Sequence, residues 1–211
     1  MKRRLQLIFL TLIVLPLSAK FGMAGELEDR LSKGNQLVKD RLYKEAAREY
    51  ELALKVDPSN TSVYLLLGLT YAQVGNLEKA LDYTQKAVEM DPGYASYYNL
   101  GLIHASRQEP DQAIEAFNQA LSYSPKAYLV EYQKGLVYAS KNDFQNATES
   151  YQKAIQLNPY FDDAYLALGL AYYQQGDQSS ALKQVEALRK KGNTPLANAL
   201  EQKITEVKAA L

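Results

Sequence analysis

Residues 63–92, VYLLLGLTYAQVGNLEKALDYTQKAVEMDP, read as two short helices joined by a tight turn. In the first half, Tyr64, Leu67, Gly68 and Tyr71 fall three, one and three residues apart and share one helical face. Gly75-Asn76 breaks that helix, and Asn76 supplies an N-cap side chain for the next. Ala80, Tyr83, Thr84, Ala87 and Val88 then form a single stripe. Asp91-Pro92 ends it, because proline disfavours the α conformation in the residue before it. A hairpin of this size cannot bury its apolar face alone and needs copies of itself as neighbours.

The glycines find the copies. Gly34, Gly68, Gly101, Gly135 and Gly169 follow one another at 34, 33, 34 and 34 residues. Pro58, Pro92, Pro125 and Pro159 keep the same beat, as do Ala46, Ala80, Ala113, Ala147 and Ala181. The aromatic positions repeat too: Tyr97 with Leu100 and Phe117 in the third copy, Tyr138 and Tyr151 in the fourth, Tyr165, Leu168 and Tyr172 in the fifth. The first copy is weaker, with Arg30, Lys33 and Leu37 at positions where its sisters carry other residues.

A period near 34 with this pattern resembles the tetratricopeptide repeat, a helix-turn-helix unit. The resemblance implies an all-α fold, a right-handed α-solenoid of about five such units plus a C-terminal capping helix. It covers residues 27–194, divided as 27–60, 61–93, 94–127, 128–161 and 162–194. The repeated Gly and Ala let the two helices of each hairpin approach closely. Residues 195–211 follow a break at Gly192-Asn193, with Thr194 as N-cap and Pro195 at the first helical position. There Leu196, Leu200, Ile204, Val207 and Leu211 make one apolar face. Repeat arrays need such a helix to cover their last face; a helix that docks on a partner is the alternative.

The N-terminal segment 1–24 differs from the rest. Lys2, Arg3 and Arg4 precede a mostly apolar run from Leu5 to Leu17, and Gly22-Met23-Ala24 offers a cleavage site. This is the layout of a secretory signal peptide. The run is short of the roughly 20 residues that a membrane span needs, and an uncleaved anchor is the alternative. The expected location is therefore exported, periplasmic or secreted. With no Cys in the chain, no disulfide can form, so packing alone must hold the fold. The sequons at Asn60 and Asn146 read as chance, since Asn146 lies within an expected helix.

Composition argues against two large classes of function. Residues 1–24 hold four basic residues and no acid, so the remainder carries 20 basic against 24 acidic residues, a net −4. No basic stripe interleaved with aromatics occurs, which removes support for nucleic-acid binding. The single His, His104, stands where sister copies carry Tyr71, Tyr138 and Tyr172, and reads as a packing residue. It has no Cys or second His with which to hold a metal, and no phosphate-cradling glycine loop is present. Glu45, Glu78, Glu115 and Glu149 read as solvated helix faces. The expectation is a non-enzymatic protein without cofactor or metal.

The resemblance implies where a partner would sit. In the family the first helix of each unit lines a concave groove through its fifth, ninth and twelfth positions. These are Leu31, Asn35 and Val38; Leu65, Leu69 and Ala72; Tyr98, Leu102 and Ala105; Tyr132, Leu136 and Ala139; and Leu166, Leu170 and Tyr173. Such a strip suits an amphipathic helix or an extended apolar peptide of another protein. The alternative is that these side chains pack between neighbouring units. The family's clamp for a C-terminal carboxylate is not expected, because Leu31, Leu66, Tyr98 and Leu102 stand at four of its five polar positions. Two functions follow: an interaction module of the bacterial cell envelope, or a structural subunit of a membrane-anchored assembly that retains the N-terminal segment.

Overall fold

The computed structural model describes residues 23–206. The segment expected as a signal or anchor lies outside them, apart from Met23 and Ala24, as do residues 207–211 of the expected cap. The described residues form eleven helices and no strand. These are α1 (23–39), α2 (Tyr43–Val56), α3 (Thr61–Val74), α4 (Leu77–Met90), α5 (Tyr94–Ser106) and α6 (Pro110–Tyr123). Then come α7 (Tyr128–Ser140), α8 (Phe144–Leu157), α9 (Asp162–Gln174), α10 (Gln178–Lys190) and α11 (Thr194–Glu206). Two compact halves divide at Asp91 and Pro92: α1–α4, and α5–α11.

Caps and turns sit where the sequence puts them. Asn60, Asn76, Asp143 and Asp177 each accept the backbone N–H three residues on, at 3.3, 3.1, 3.2 and 2.9 Å. Pro110 opens α6, where its missing N–H costs nothing. Gly75 ends α3 in the left-handed conformation, φ 83°. The matching turn residue is Gly176 in the fifth hairpin, φ 80°, but Arg41, Gln108 and Asn142 in the first, third and fourth, all near φ 60° although none is glycine. One expected cap is corrected. Asn193, not Thr194, caps α11: its Oδ1 accepts the Leu196 N–H at 3.3 Å and its carbonyl the Ala197 N–H at 3.1 Å. Thr194 is already helical, and Asn193 before it is itself a favoured N-cap residue.

In each half the core is a row of clusters rather than one centre. In the N-terminal half Ala46, Tyr50, Ala53, Val63 and Leu67 are buried, with Leu27 and Leu31 of α1 packed against them. In the C-terminal half Ala113, Phe117, Ala120 and Val130 make one cluster, and Ala147, Tyr151, Leu168 and Ala171 another. A third joins Ala181, Val185 and Leu188 to Ala197, Leu200 and Ile204 of α11. The repeated glycine makes room for a ring. A Cβ on Gly101 would lie 2.5 Å from Phe117, and Gly34 and Gly135 face Tyr50 and Tyr151 in the same way. Gly169 faces Leu200 instead, so α11 packs on α9 where the first, third and fourth hairpins use their own aromatic.

The weak signature of the first copy has a structural reason. Arg30 donates to Glu49 at 3.0 Å, and Lys33 also pairs with Glu49. Lys33 first, then Arg30, hold the buried Glu49 carboxyl below its ordinary range. The fourth copy likewise carries Glu131 and Lys134 in slots where Tyr and Leu stand elsewhere; they pair at 3.6 Å, both nearly buried. Charge pairs thus replace apolar contacts inside two of the hairpins.

Candidate functional site

Each half carries a cleft between the first helices of successive hairpins. The N-terminal cleft, about 520 Å³, lies between α1 and α3 beside the start of α2. Val38, Leu66 and Leu69 give it an apolar floor, and Asn35, Lys39 and Gln73 a polar edge. The C-terminal cleft, about 400 Å³, lies between α5 and α7 and is bounded by Ala105, Gln108, Gln133, Leu136, Ser140 and Lys141.

Both clefts use one helical stripe on the later helix. Leu66, Leu69, Thr70 and Gln73 on α3 match Gln133, Leu136, Val137 and Ser140 on α7, at steps of three, one and three. Those are the sixth, ninth, tenth and thirteenth positions of the repeat. The earlier helix contributes its ninth, twelfth and thirteenth positions as Asn35, Val38 and Lys39, or its twelfth as Ala105. The expected groove positions therefore divide. Asn35, Val38, Leu69, Ala105 and Leu136 line the clefts, and among the expected groove positions Leu69 and Leu136 are the most open large apolar side chains, 37% and 39% exposed.

The other expected residues are half-buried. Tyr98 stacks on Tyr94 (ring centroids 5.8 Å) and tilts against Phe117 at 6.0 Å. Tyr132 meets Tyr151 at 5.8 Å and the edge of Phe161 at 4.9 Å. Each ring thus keeps one face on its own core. Burial pushes the Tyr98 and Tyr132 phenols up. Leu166, Leu170 and Tyr173 pack against the cluster shared with α11, and Leu102 against the Phe117 cluster. Leu31 packs against the first core. Leu65, Ala72 and Ala139 are half-buried and line neither cleft.

Sequence reasoning missed the sixth- and thirteenth-position lining. The signal was a polar residue just beyond the apolar twelfth position: Lys39, Gln73 and Ser140. It also missed a small polar cluster. His104 Nδ1 lies 2.7 Å from Glu109, which accepts from Arg107 at 2.9 Å. His104, and then Arg107, hold the Glu109 carboxyl below its ordinary value. Another joins three helices: Tyr71 of α3 donates to Glu51 of α2 at 2.5 Å, and Lys79 of α4 donates to the Tyr71 hydroxyl at 3.0 Å. Glu45, Glu78, Glu115 and Glu149 are all exposed. Among the described residues no group of three His, Cys, Asp or Glu side chains could hold a metal ion, and no helix is long and apolar enough to cross a membrane.

Comparison with known proteins agrees with this architecture. Models described as tetratricopeptide repeat match residues 31–95 and 94–126, and one described as TPR repeat matches 135–176. A crystal structure of MamA protein superposes with a TM-score of 0.68 at 30% identity, over 82% of this chain and 95% of that one. Hsp70-Hsp90 organizing protein 3 of Arabidopsis thaliana is 31% identical over 47% of this chain. Photosystem I assembly protein Ycf3 of Rippkaea orientalis is 34% identical over 36% of it. The chain spans 18% of the length of the first and 49% of the second. With the hairpin geometry, the ring-accommodating glycines and a relative matched over nearly its whole length, the chain belongs to the tetratricopeptide-repeat family.

Proposed function

We propose that this protein is a non-enzymatic adaptor of the bacterial cell envelope that holds an apolar peptide or amphipathic helix of another protein in the cleft of either half. The observation that carries the reading is the pair of open leucines, Leu69 and Leu136, at the same position of two different hairpins. An exposed apolar patch inside a concavity of this size is the usual mark of a binding surface. The curated relatives above are named for bringing other proteins together, one as an organizer and one as an assembly protein. The basic, then apolar, then small-residue order of the first 24 residues supports export.

The test is a double substitution, Leu69→Glu with Leu136→Glu. Proteins captured from an envelope fraction by the parent chain are expected to be lost, with the helical CD signal and melting temperature near the parent's. Tyr98→Glu is unsuited, because that ring also covers Phe117. Unchanged capture by the folded double variant would place the binding surface elsewhere. The mass of the mature N-terminus decides location: a start near Gly25 supports export with cleavage, whereas a retained segment supports the membrane-anchored structural subunit.

A further inference from the structure

We infer that the partner held in the N-terminal cleft is an amphipathic helix with an acidic residue flanking its apolar stripe. This rests on the cleft reading above and sharpens it. The wall of that cleft has one cation, Lys39, and no acid. Among the described residues no side chain pairs with Lys39; the adjacent Asp40 already accepts the Gln36 amide, at 3.1 and 3.2 Å. Asn35 leans the same way. Its Oδ1 is taken by the Tyr50 hydroxyl at 2.7 Å, which leaves its NH₂ group as a donor. An apolar floor edged by an uncompensated ammonium and a free amide donor is complementary to leucine-like anchors followed by a carboxylate.

The C-terminal cleft supplies the contrast. It too has one cation, Lys141, but Asp111 holds that ammonium at 2.5 Å. Among the described residues no unpaired ammonium lines that cleft, so the charge preference belongs to the N-terminal cleft. A lone charge pair at such an edge is modest, and its value is selectivity: it favours one acidic helix over basic ones of equal hydrophobicity.

The experiment uses the full chain and three acetylated, amidated helical peptides of about 18 residues with identical leucine stripes. They carry Glu, Gln or Lys at one flanking position. Blocked termini keep a free C-terminal carboxylate out of the comparison. The Glu peptide is expected to bind about fivefold tighter than the Lys peptide at low salt, with a smaller gap at high salt. Lys39→Glu should reverse the order, while Lys86→Glu, an exposed α4 position that lines neither cleft, should leave it unchanged. Equal affinity of all three peptides for the parent overturns the acidic preference and leaves the cleft reading standing. Failure of all three to bind overturns the choice of a helix as occupant, whereas undiminished binding to Leu69→Glu overturns the cleft reading itself.

Discussion

At the scale of single residues, what the repeated glycine provides is the absence of a side chain. Gly101 sits in mid-helix, where it costs roughly 0.5–1 kcal/mol relative to alanine, yet the Phe117 ring occupies the place of its missing Cβ. Gly101→Ala is therefore expected to destabilise rather than stabilise, by about 1–3 kcal/mol, because the ring must leave a fully buried position. Urea unfolding measures it, and a gain in stability would mean that the ring moves aside freely. Gly68 differs in detail: it faces the Thr84 hydroxyl, which donates to the Ala80 carbonyl at 2.8 Å. The same position thus admits a ring in some hairpins and a back-bonded threonine in another. The charge pairs of Arg30 and Lys33 with Glu49, and of Lys134 with Glu131, follow the same logic of replacement within a fixed geometry.

At the scale of elements, the last helix carries the heaviest individual role. Leu200 and Ile204 of α11 are buried against Val185 and Leu188 of α10, and Leu200 fills the space over Gly169. Each buried side chain of that kind contributes about 1.5–3 kcal/mol. Deleting residues 194–211 is expected to lower stability by more than about 3 kcal/mol and to promote aggregation, read by melting and light scattering. A truncated chain that stays soluble and melts with the parent would make α11 a docking helix instead. The helices themselves were legible in the sequence, because Gly, Pro, Asn and Asp act on their own neighbours. The site was legible only in part. Leu69 and Leu136 could be placed on the cleft side from the repeat, but not their exposure, since Leu102 and Leu170 at the same ninth position pack half-buried against core clusters. That Tyr98 and Tyr132 turn a face to Phe117 and Tyr151 could not, because it depends on where the partner helix lies. Nor could the use of Lys39 or the pairing of His104 with Glu109, which are settled by which side chains meet across a turn or a cleft.

At the scale of the whole molecule, protonation sets the window of stability from both sides. Burial raises the phenols of Tyr50, Tyr71, Tyr83, Tyr98, Tyr132 and Tyr151. Their contribution is complete below the unfolded value of about 10 and is lost as pH climbs through the higher folded values. The carboxyls of Glu49, Glu109, Asp143, Asp162 and Asp177 are lowered, mainly by hydrogen bonds. Their contribution is present above about 4 and is lost as pH falls through the depressed folded values. The urea midpoint is expected to be flat between about pH 5 and 9 and to drop outside that range; a midpoint that keeps rising above pH 10 would contradict the alkaline arm. One feature of the packing reaches further. The principal contacts of the C-terminal half join each helix to the next, or to the next but one: α5 to α6 and α7, α7 to α8 and α9, α9 to α10 and α11. Little in that half ties distant parts of the chain together, which favours rapid folding. It also sets the mechanical character. Under tension at its two ends, such a segment has no single bolt that must shear. It should pay out hairpin by hairpin at low force and rewind when released, as an extensible tether between whatever it joins.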